Sequence, residues 1–235
     1  MNPDCWYCNI ADAKDEQDKC LKGKSLDWCD EHCPIYKNMK NCFIKSGLEE
    51  QYWNPFNLKR VEKDKAVVQQ IKDIRENLSD FVTEGKSVLL QSVNCGNGKT
   101  SWGIKLLQKQ IELNVLNSAY GTPPAFFVFV PSLLVEARKS ISGNSKQFET
   151  IEYMVENCPL VMFDEIGGIS LKDYDLLILT HLIEKRIQKG LSNIYTTNCQ
   201  DEVLKVNLGD RLFDRVNRLS TVLTFKGSSM RGLNE

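Results

Sequence analysis

No apolar run in this 235-residue chain approaches the roughly 20 residues of a membrane-crossing helix, so no segment reads as one. Charge of one sign is also lacking. Thirty Lys and Arg stand against 31 Asp and Glu, a formal net charge of −1. There is then no global positive field to draw the chain onto nucleic acid, and any such binding has to come from a local patch. The segment Met1 to Asp15 is polar and acidic, without the charged-then-apolar order of a secretion signal. Internal repeats and low-complexity tracts are absent as well. What is present is a 42% hydrophobic content that suits a packed core, at a length that holds one ordinary domain plus a small module.

Cysteine is unevenly spread. Six of the nine cysteines (Cys5, Cys8, Cys20, Cys29, Cys33 and Cys42) fall in the first 42 residues. With no secretion signal, this argues for a reducing, cytoplasmic setting, where cysteine clusters hold metal more often than disulfides. The composition shift places a boundary in Tyr52-Trp53-Asn54-Pro55-Phe56-Asn57, dividing a cysteine-rich module, 1–52, from a domain at 53–235. Cys5-x-x-Cys8 and Cys29-x-x-His32-Cys33 supply two close pairs, as a tetrahedral structural zinc site requires. Cys5, Cys8, Cys29 and Cys33 are the first choice of ligands; His32 or Cys20 is open as a replacement, and Cys42 is the outsider. Trp6, Tyr7, Trp28 and Tyr36 are either anchors for a partner or the small module's own core.

The remainder alternates helix and strand patterns. Val61 to Val82 carries an apolar helical stripe. Strands are expected at 87–93, 125–130, 160–164, 193–197 and 221–225, with helices at 99–116, 132–141, 146–157, 172–189 and 200–219. Such alternation implies an α/β fold with a five-stranded parallel sheet covered by helices on both faces. Ligands of these sheets sit beyond the carboxyl ends of the strands.

Residues 86–100 read K-S-V-L-L-Q-S-V-N-C-G-N-G-K-T, a strand followed by a glycine-containing loop. Loops of this kind turn backbone N–H groups toward phosphate oxygens, so Asn94, Cys95, Gly96, Asn97, Gly98, Lys99, Thr100 and Ser101 form a candidate phosphate cradle. Lys99 would reach the β- and γ-phosphates, and Thr100 would hold Mg²⁺. The helix that follows would present its positive end to the same anion. The first glycine of the usual G-x-x-x-x-G-K-T pattern is missing, and Val93 stands there. A β-branched residue rarely accepts positive φ, so the turn has to enter differently.

Leu160-Val161-Met162-Phe163-Asp164-Glu165 is a buried-strand pattern ending in two carboxylates. Asp164 is the candidate Mg²⁺ partner and Glu165 the candidate for polarising an attacking water; the alternative is that the pair caps the next helix. Asn198, at the tip of Asn193 to Asn198, either orients that water or forms a turn before the Asp201 helix. Arg211 and Arg215 lie four apart, offering guanidinium groups to a neighbouring subunit, unless Arg211 forms a surface ion pair with Asp214 or Asp210. Lys172 and Tyr174, with Arg138, Lys139 and Lys146, are weak candidates for single-stranded DNA contact beside the default of a charged helix face. His181 reads as ordinary helix surface.

The order of lysine loop, D-E strand end, T-T-N strand end and R-L-F-D-R helix resembles the AAA+ ATPases, and within them the DnaC/DnaI helicase loaders, including phage-encoded versions. The resemblance covers about residues 55–232 and rests on four motifs in order. It implies that Lys99 and Thr100 belong to Walker A, and Asp164 and Glu165 to Walker B. It makes Asn198 sensor 1, Arg215 the arginine finger with Arg211 beside it, and Arg231 a sensor 2 group, unless Arg231 is a free tail residue. The chain stops soon after the last strand, leaving no room for most of the helical lid usual in AAA+ proteins. The family further implies ATP with Mg²⁺, a zinc domain that grips a hexameric DnaB-type replicative helicase, and self-association on ATP and single-stranded DNA. Two other readings remain: an IstB-like transposition helper, and a weakly hydrolysing zinc-bearing adaptor or regulator of a helicase.

Overall fold

Leu160 to Phe163 can be continuously apolar because the strand they form is covered on both sides. In the computed structural model the sheet runs β1 (Ser87–Gln91), β2 (Ala125–Phe129), β3 (Leu160–Asp164), β4 (Ser192–Thr197) and β5 (Ser220–Thr224). All pairs are parallel, in the spatial order β2-β3-β4-β1-β5. The structure describes residues 33–53, 56, 58, 62–115, 121–141, 143, 146–168, 170–227 and 229.

Alternate residues of each strand feed opposite layers, as the two-residue pleat requires. Leu89, Val161, Phe163 and Tyr195 enter one apolar cluster with side chains of α5 (Val130–Ser140), α6 (Lys146–Asn157), α7 (Asp173–Gln188) and α8 (Asp201–Phe213). Val88, Leu90, Leu160, Met162 and Ile194 enter the other, beneath α1 (Pro34–Lys45), α2 (Lys65–Glu76), α3 (Leu78–Thr83) and α4 (Lys99–Asn114). Strands β3 and β4 are buried along their whole length, whereas β5 exposes Thr221, Val222 and Thr224, as an edge strand does.

Three local expectations change. The stripe from 61 to 82 is not one helix: it breaks at Asn77, whose side-chain amide bonds Asp73 O at 2.9 Å and ends α2 there. The helix expected over 200–219 ends at Phe213 and widens into a π-type turn over Asp214–Arg218, and Gly209 within α8 is itself non-helical, with φ 68° and ψ 163°. The third change concerns the boundary at 52/53. Met39, Cys42, Phe43 and Leu48 are buried in the same cluster as Ile71 and Leu107, Phe127 N donates to Ser46 O at 2.7 Å, and Trp53 stacks on Phe43. Residues 34–53 therefore pack as part of the sheet domain. Cys42, 5% exposed among these apolar neighbours, is core. Cys5, Cys8, Cys20, Cys29 and His32, with Trp6, Tyr7 and Trp28, lie outside the described residues.

Candidate nucleotide site

A cleft of about 440 Å³ opens at the carboxyl ends of β1, β3 and β4. It is lined by Cys95 to Ser101 from the loop after β1, by Asp164 and Glu165 from the end of β3, and by Thr196 and Asn198 from the end of β4. Asn94 belongs to the loop but faces away, donating its side-chain amide to Gly227 O at 3.0 Å.

The loop solves the missing-glycine problem without Val93 turning left-handed. Ser92 Oγ accepts the N–H of Asn94 at 3.0 Å, closing a hydroxyl-anchored turn, and the reversals fall on Gly96 (φ 77°) and Gly98 (φ 92°). Val93 is left 53% exposed on the far side. Inside the loop, Asn97 bridges Ser92 and Lys99. Its Nδ2 donates to Ser92 Oγ at 2.5 Å, and its Oδ1 accepts from Lys99 Nζ at 3.0 Å. Lys99 Nζ also reaches Asn94 O at 3.1 Å. Helix α4 begins at Lys99 with no side-chain cap, and its first residues, Lys99 to Ser101, line the cleft.

Opposite, Asp164 is 5% exposed. Its Oδ1 accepts from Thr100 Oγ1 at 2.8 Å and from Thr196 Oγ1 at 2.6 Å. Burial pushes its carboxyl up, while the Thr196 and Thr100 hydrogen bonds and the charge of Lys99 act the other way. The helix-cap alternative for Asp164 and Glu165 is excluded, because the next helix, α7, starts only at Asp173. Donors at one end and a carboxylate beside a hydroxyl at the other suit a phosphate chain with a divalent cation.

Sequence reasoning missed three lining residues. Thr196 carried no motif signal beyond its place in T-T-N. Tyr52 and Leu58 close the cleft over α4, where Gln108 Nε2 donates to Tyr52 O at 2.7 Å and Lys105 Nζ bonds Phe56 O. Lys105 also lies 4.6 Å from the Phe56 ring centre. Burial, then the nearby Arg75, holds its ammonium below the ordinary lysine value.

The two arginines expected to act between subunits lie outside the cleft. Both meet Glu184 of α7 rather than Asp210 or Asp214, which pair with Lys205 and Arg218. Arg231 lies outside the described residues, but the segment leading toward it is anchored: Asp64 accepts from Lys226 N at 2.7 Å and Gly227 N at 3.0 Å. Of the DNA candidates, Arg138 is committed to Asp175, Lys139 pairs with Glu136, and Tyr174 packs on the core with its hydroxyl on Ala137 O. Among the described residues, one group of three potential metal ligands occurs, Glu152, Glu156 and His181, at the surface between α6 and α7.

A parallel sheet in this strand order, with a lysine loop after β1 and a carboxylate ending β3, gives an α/β fold that matches solved structures of AAA+ helicase loaders and replication initiators. The chain's homologues are more particular: they are proteins named replicative helicase loader DnaC. The one from Buchnera aphidicola of Acyrthosiphon pisum is 26% identical over 208 residues, 82% of this chain and 76% of that protein, and its Schizaphis graminum counterpart is 25% identical. A solved DnaC helicase loader superimposes with TM-score 0.61 at 20% identity, covering 76% of this chain and all of that one. DnaI superimposes with TM-score 0.58 at 18% identity, covering 78% and 94% of the two chains. A DnaA replication initiator bound to AMPPCP and single-stranded DNA gives 0.56 at 15% identity, over 73% and 49%. No protein-family model matches the chain.

Proposed function

We propose that this protein is an ATP-dependent loader that binds a hexameric DnaB-type replicative helicase and delivers it onto single-stranded DNA. The carrying observation is the cleft itself, which gathers Lys99, Thr100, Asp164, Glu165 and Asn198 in a chain whose homologues bear the loader name. Lys99 and the loop N–H groups would bind the phosphates of ATP. Thr100 and Asp164 would hold Mg²⁺, which supplies charge neutralisation at the phosphates. Glu165 would polarise the attacking water and Asn198 orient it. Arg215, with Arg211 beside it, would complete a neighbouring copy's site on self-association around DNA. Arg231 would approach the same phosphates from the C-terminal segment.

Cys5, Cys8, Cys29 and Cys33 would bind a structural zinc ion and form the helicase-gripping module. Cys33 stands at the N-terminus of α1 with Tyr36 N donating to its sulfur at 3.4 Å, so its sulfur is held at the start of the sheet domain's first described helix. Metal analysis of the purified protein tests this, with one zinc per chain expected and loss in Cys33→Ser.

Calorimetric titration with ATP and Mg²⁺, followed by loading assays with Lys99→Ala, tests the main reading. Binding heat in the wild type, and failure of the variant both to bind nucleotide and to load helicase, are expected. Normal loading by Lys99→Ala, or no heat with the wild type, overturns the assignment.

A further inference from the structure

Thr196 holds three consecutive residues of the neighbouring strand end. The β3–β4 register pairs Phe163 with Tyr195, so Asp164 and Thr196 come next on the same side of the sheet. Beyond that point the ladder is interrupted. Ile166 N, not Glu165 N, takes the Thr196 carbonyl at 2.9 Å, leaving Glu165 as an extra residue in a bulge. Glu165 is also the one non-glycine residue at positive φ among those described, 60°. Such a conformation persists only when its surroundings over-determine it.

The Thr196 side chain supplies that constraint. Its hydroxyl accepts the N–H of Glu165 at 3.0 Å and donates to Asp164 Oδ1 at 2.6 Å. The side chain is buried, 2% exposed, so water does not substitute for it readily. One hydroxyl thus fixes the backbone that carries one carboxylate and an oxygen of the other.

We infer that Thr196 is the positioning residue of this site, setting Glu165 for hydrolysis and Asp164 for the cation through a single bridging hydroxyl. The inference rests on the nucleotide reading given above. Valine at 196 has nearly the same shape but neither accepts nor donates, so the bulge would lose its anchor while β4 stays filled. Misplacing a reacting group by about an ångström lowers turnover on the order of a hundredfold.

The test compares full-length wild type with Thr196→Val and Thr196→Ser, in ATP binding, ATP turnover and hydrogen exchange of the Glu165 amide. Thr196→Val is expected to lose about a hundredfold in kcat, to keep its affinity for Mg²⁺-free ATP within about threefold, and to exchange the Glu165 amide faster. Thr196→Ser, which retains the hydroxyl, is expected to restore turnover and protection. If the valine protein melts below assay temperature, Thr196→Ala takes its place. Wild-type turnover in the hydroxyl-free variant, unchanged Glu165 exchange, or a serine variant as impaired as valine overturns the inference. A wild type that binds no ATP defeats the nucleotide reading instead, and the exchange measurement still decides whether Thr196 anchors the bulge.

Discussion

Arg211 grips Glu184 through two hydrogen bonds, Nε to Oε1 at 2.9 Å and Nη2 to Oε2 at 2.8 Å, and Arg215 Nε approaches Oε1 of the same carboxylate at 3.7 Å. The Arg211 hydrogen bonds, more than any other influence, hold the Glu184 carboxyl below the ordinary glutamate value. Both arginines converge on one acid although α8 is kinked at Gly209 and widened after Phe213. An arginine offered to a neighbouring copy has to leave this partner first. Glu184→Gln should therefore shift the dependence of ATP turnover on protein concentration toward lower concentration, by about two- to fivefold for a weak surface pair. The melting temperature should move by no more than about 2 °C, since exposed pairs contribute little to stability. Turnover measured across a dilution series checks both; an unmoved curve removes Glu184 as a competitor.

Asp164 carries a second expectation, with a definite sign. Burial raises its carboxyl above the ordinary 3.8, so the folded protein holds this proton more tightly than the unfolded chain does. The associated stability is complete below the ordinary aspartate range and is lost as pH rises through the raised value. Thr100 and Thr196 both donate to Oδ1, an oxygen that asparagine retains. Asp164→Asn should accordingly melt higher than wild type at neutral pH without nucleotide, the gap opening as pH climbs from about 4. The same substitution should abolish the rise in melting temperature that Mg²⁺ with ATP gives the wild type. Melting curves from pH 4 to 8 check the first part, and a variant less stable than wild type at pH 7 refutes it.

The strands were legible because burial on both faces leaves an uninterrupted apolar run. Leu160–Asp164 is bounded as expected, and the other four strands shift by a few residues at most. That Lys99, Thr100, Asp164 and Glu165 meet at one cleft was legible because both motifs follow strands of a parallel sheet, whose carboxyl ends lie together. What stayed hidden depends on residues far apart in sequence. Thr196 looks like any strand threonine until the β3–β4 register sets it beside Asp164. Glu184 is one acid among many on α7 until the kinked α8 delivers two arginines to it. The docking of α1 was masked by composition, since Cys33 and Cys42 resemble the upstream cysteines while Met39 and Phe43 belong to the sheet's core.

Gly85 and Gly190 form a natural control for the two ways a glycine can be required. Their φ angles are nearly identical, 66° and 65°. A Cβ at Gly85 would lie 2.5 Å from the Gly190 carbonyl oxygen, whereas one at Gly190 would meet nothing within 4 Å. Gly190→Ala should then cost only the left-handed conformation, about 1–2 kcal/mol. Gly85→Ala adds a backbone clash that the two tightly linked turns cannot relieve, and should cost at least about 1 kcal/mol more. Urea unfolding of the two alanine variants gives the difference directly; equal losses would mean that the turns separate freely.

Among the described residues Arg186 has no carboxylate partner, yet it is fully buried. Its guanidinium donates to Asn193 Oδ1 at 2.6 Å, to Cys158 O at 2.9 Å, to Ser192 O at 2.6 Å and to the carbonyls of Val155 and Pro159. It thereby joins α7 to the end of α6 and to the turns that enter β3 and β4. Burial lowers its pKa to about 10, still far enough above neutrality that the group stays charged at working pH. The planar fork is what lets one side chain reach acceptors in several directions; an ammonium has three donors on one atom. Arg186→Lys should therefore fail as a conservative change, losing about 2 kcal/mol or more, and Arg186→Met should lose about 3 kcal/mol or more by orphaning the carbonyls. Because these bonds sit at the amino ends of β3 and β4, remote from the cleft at their carboxyl ends, whatever folded fraction remains should bind ATP with unchanged affinity. Urea midpoints paired with nucleotide titration of the folded variant check this, and a lysine variant as stable as wild type would show that the fork is dispensable.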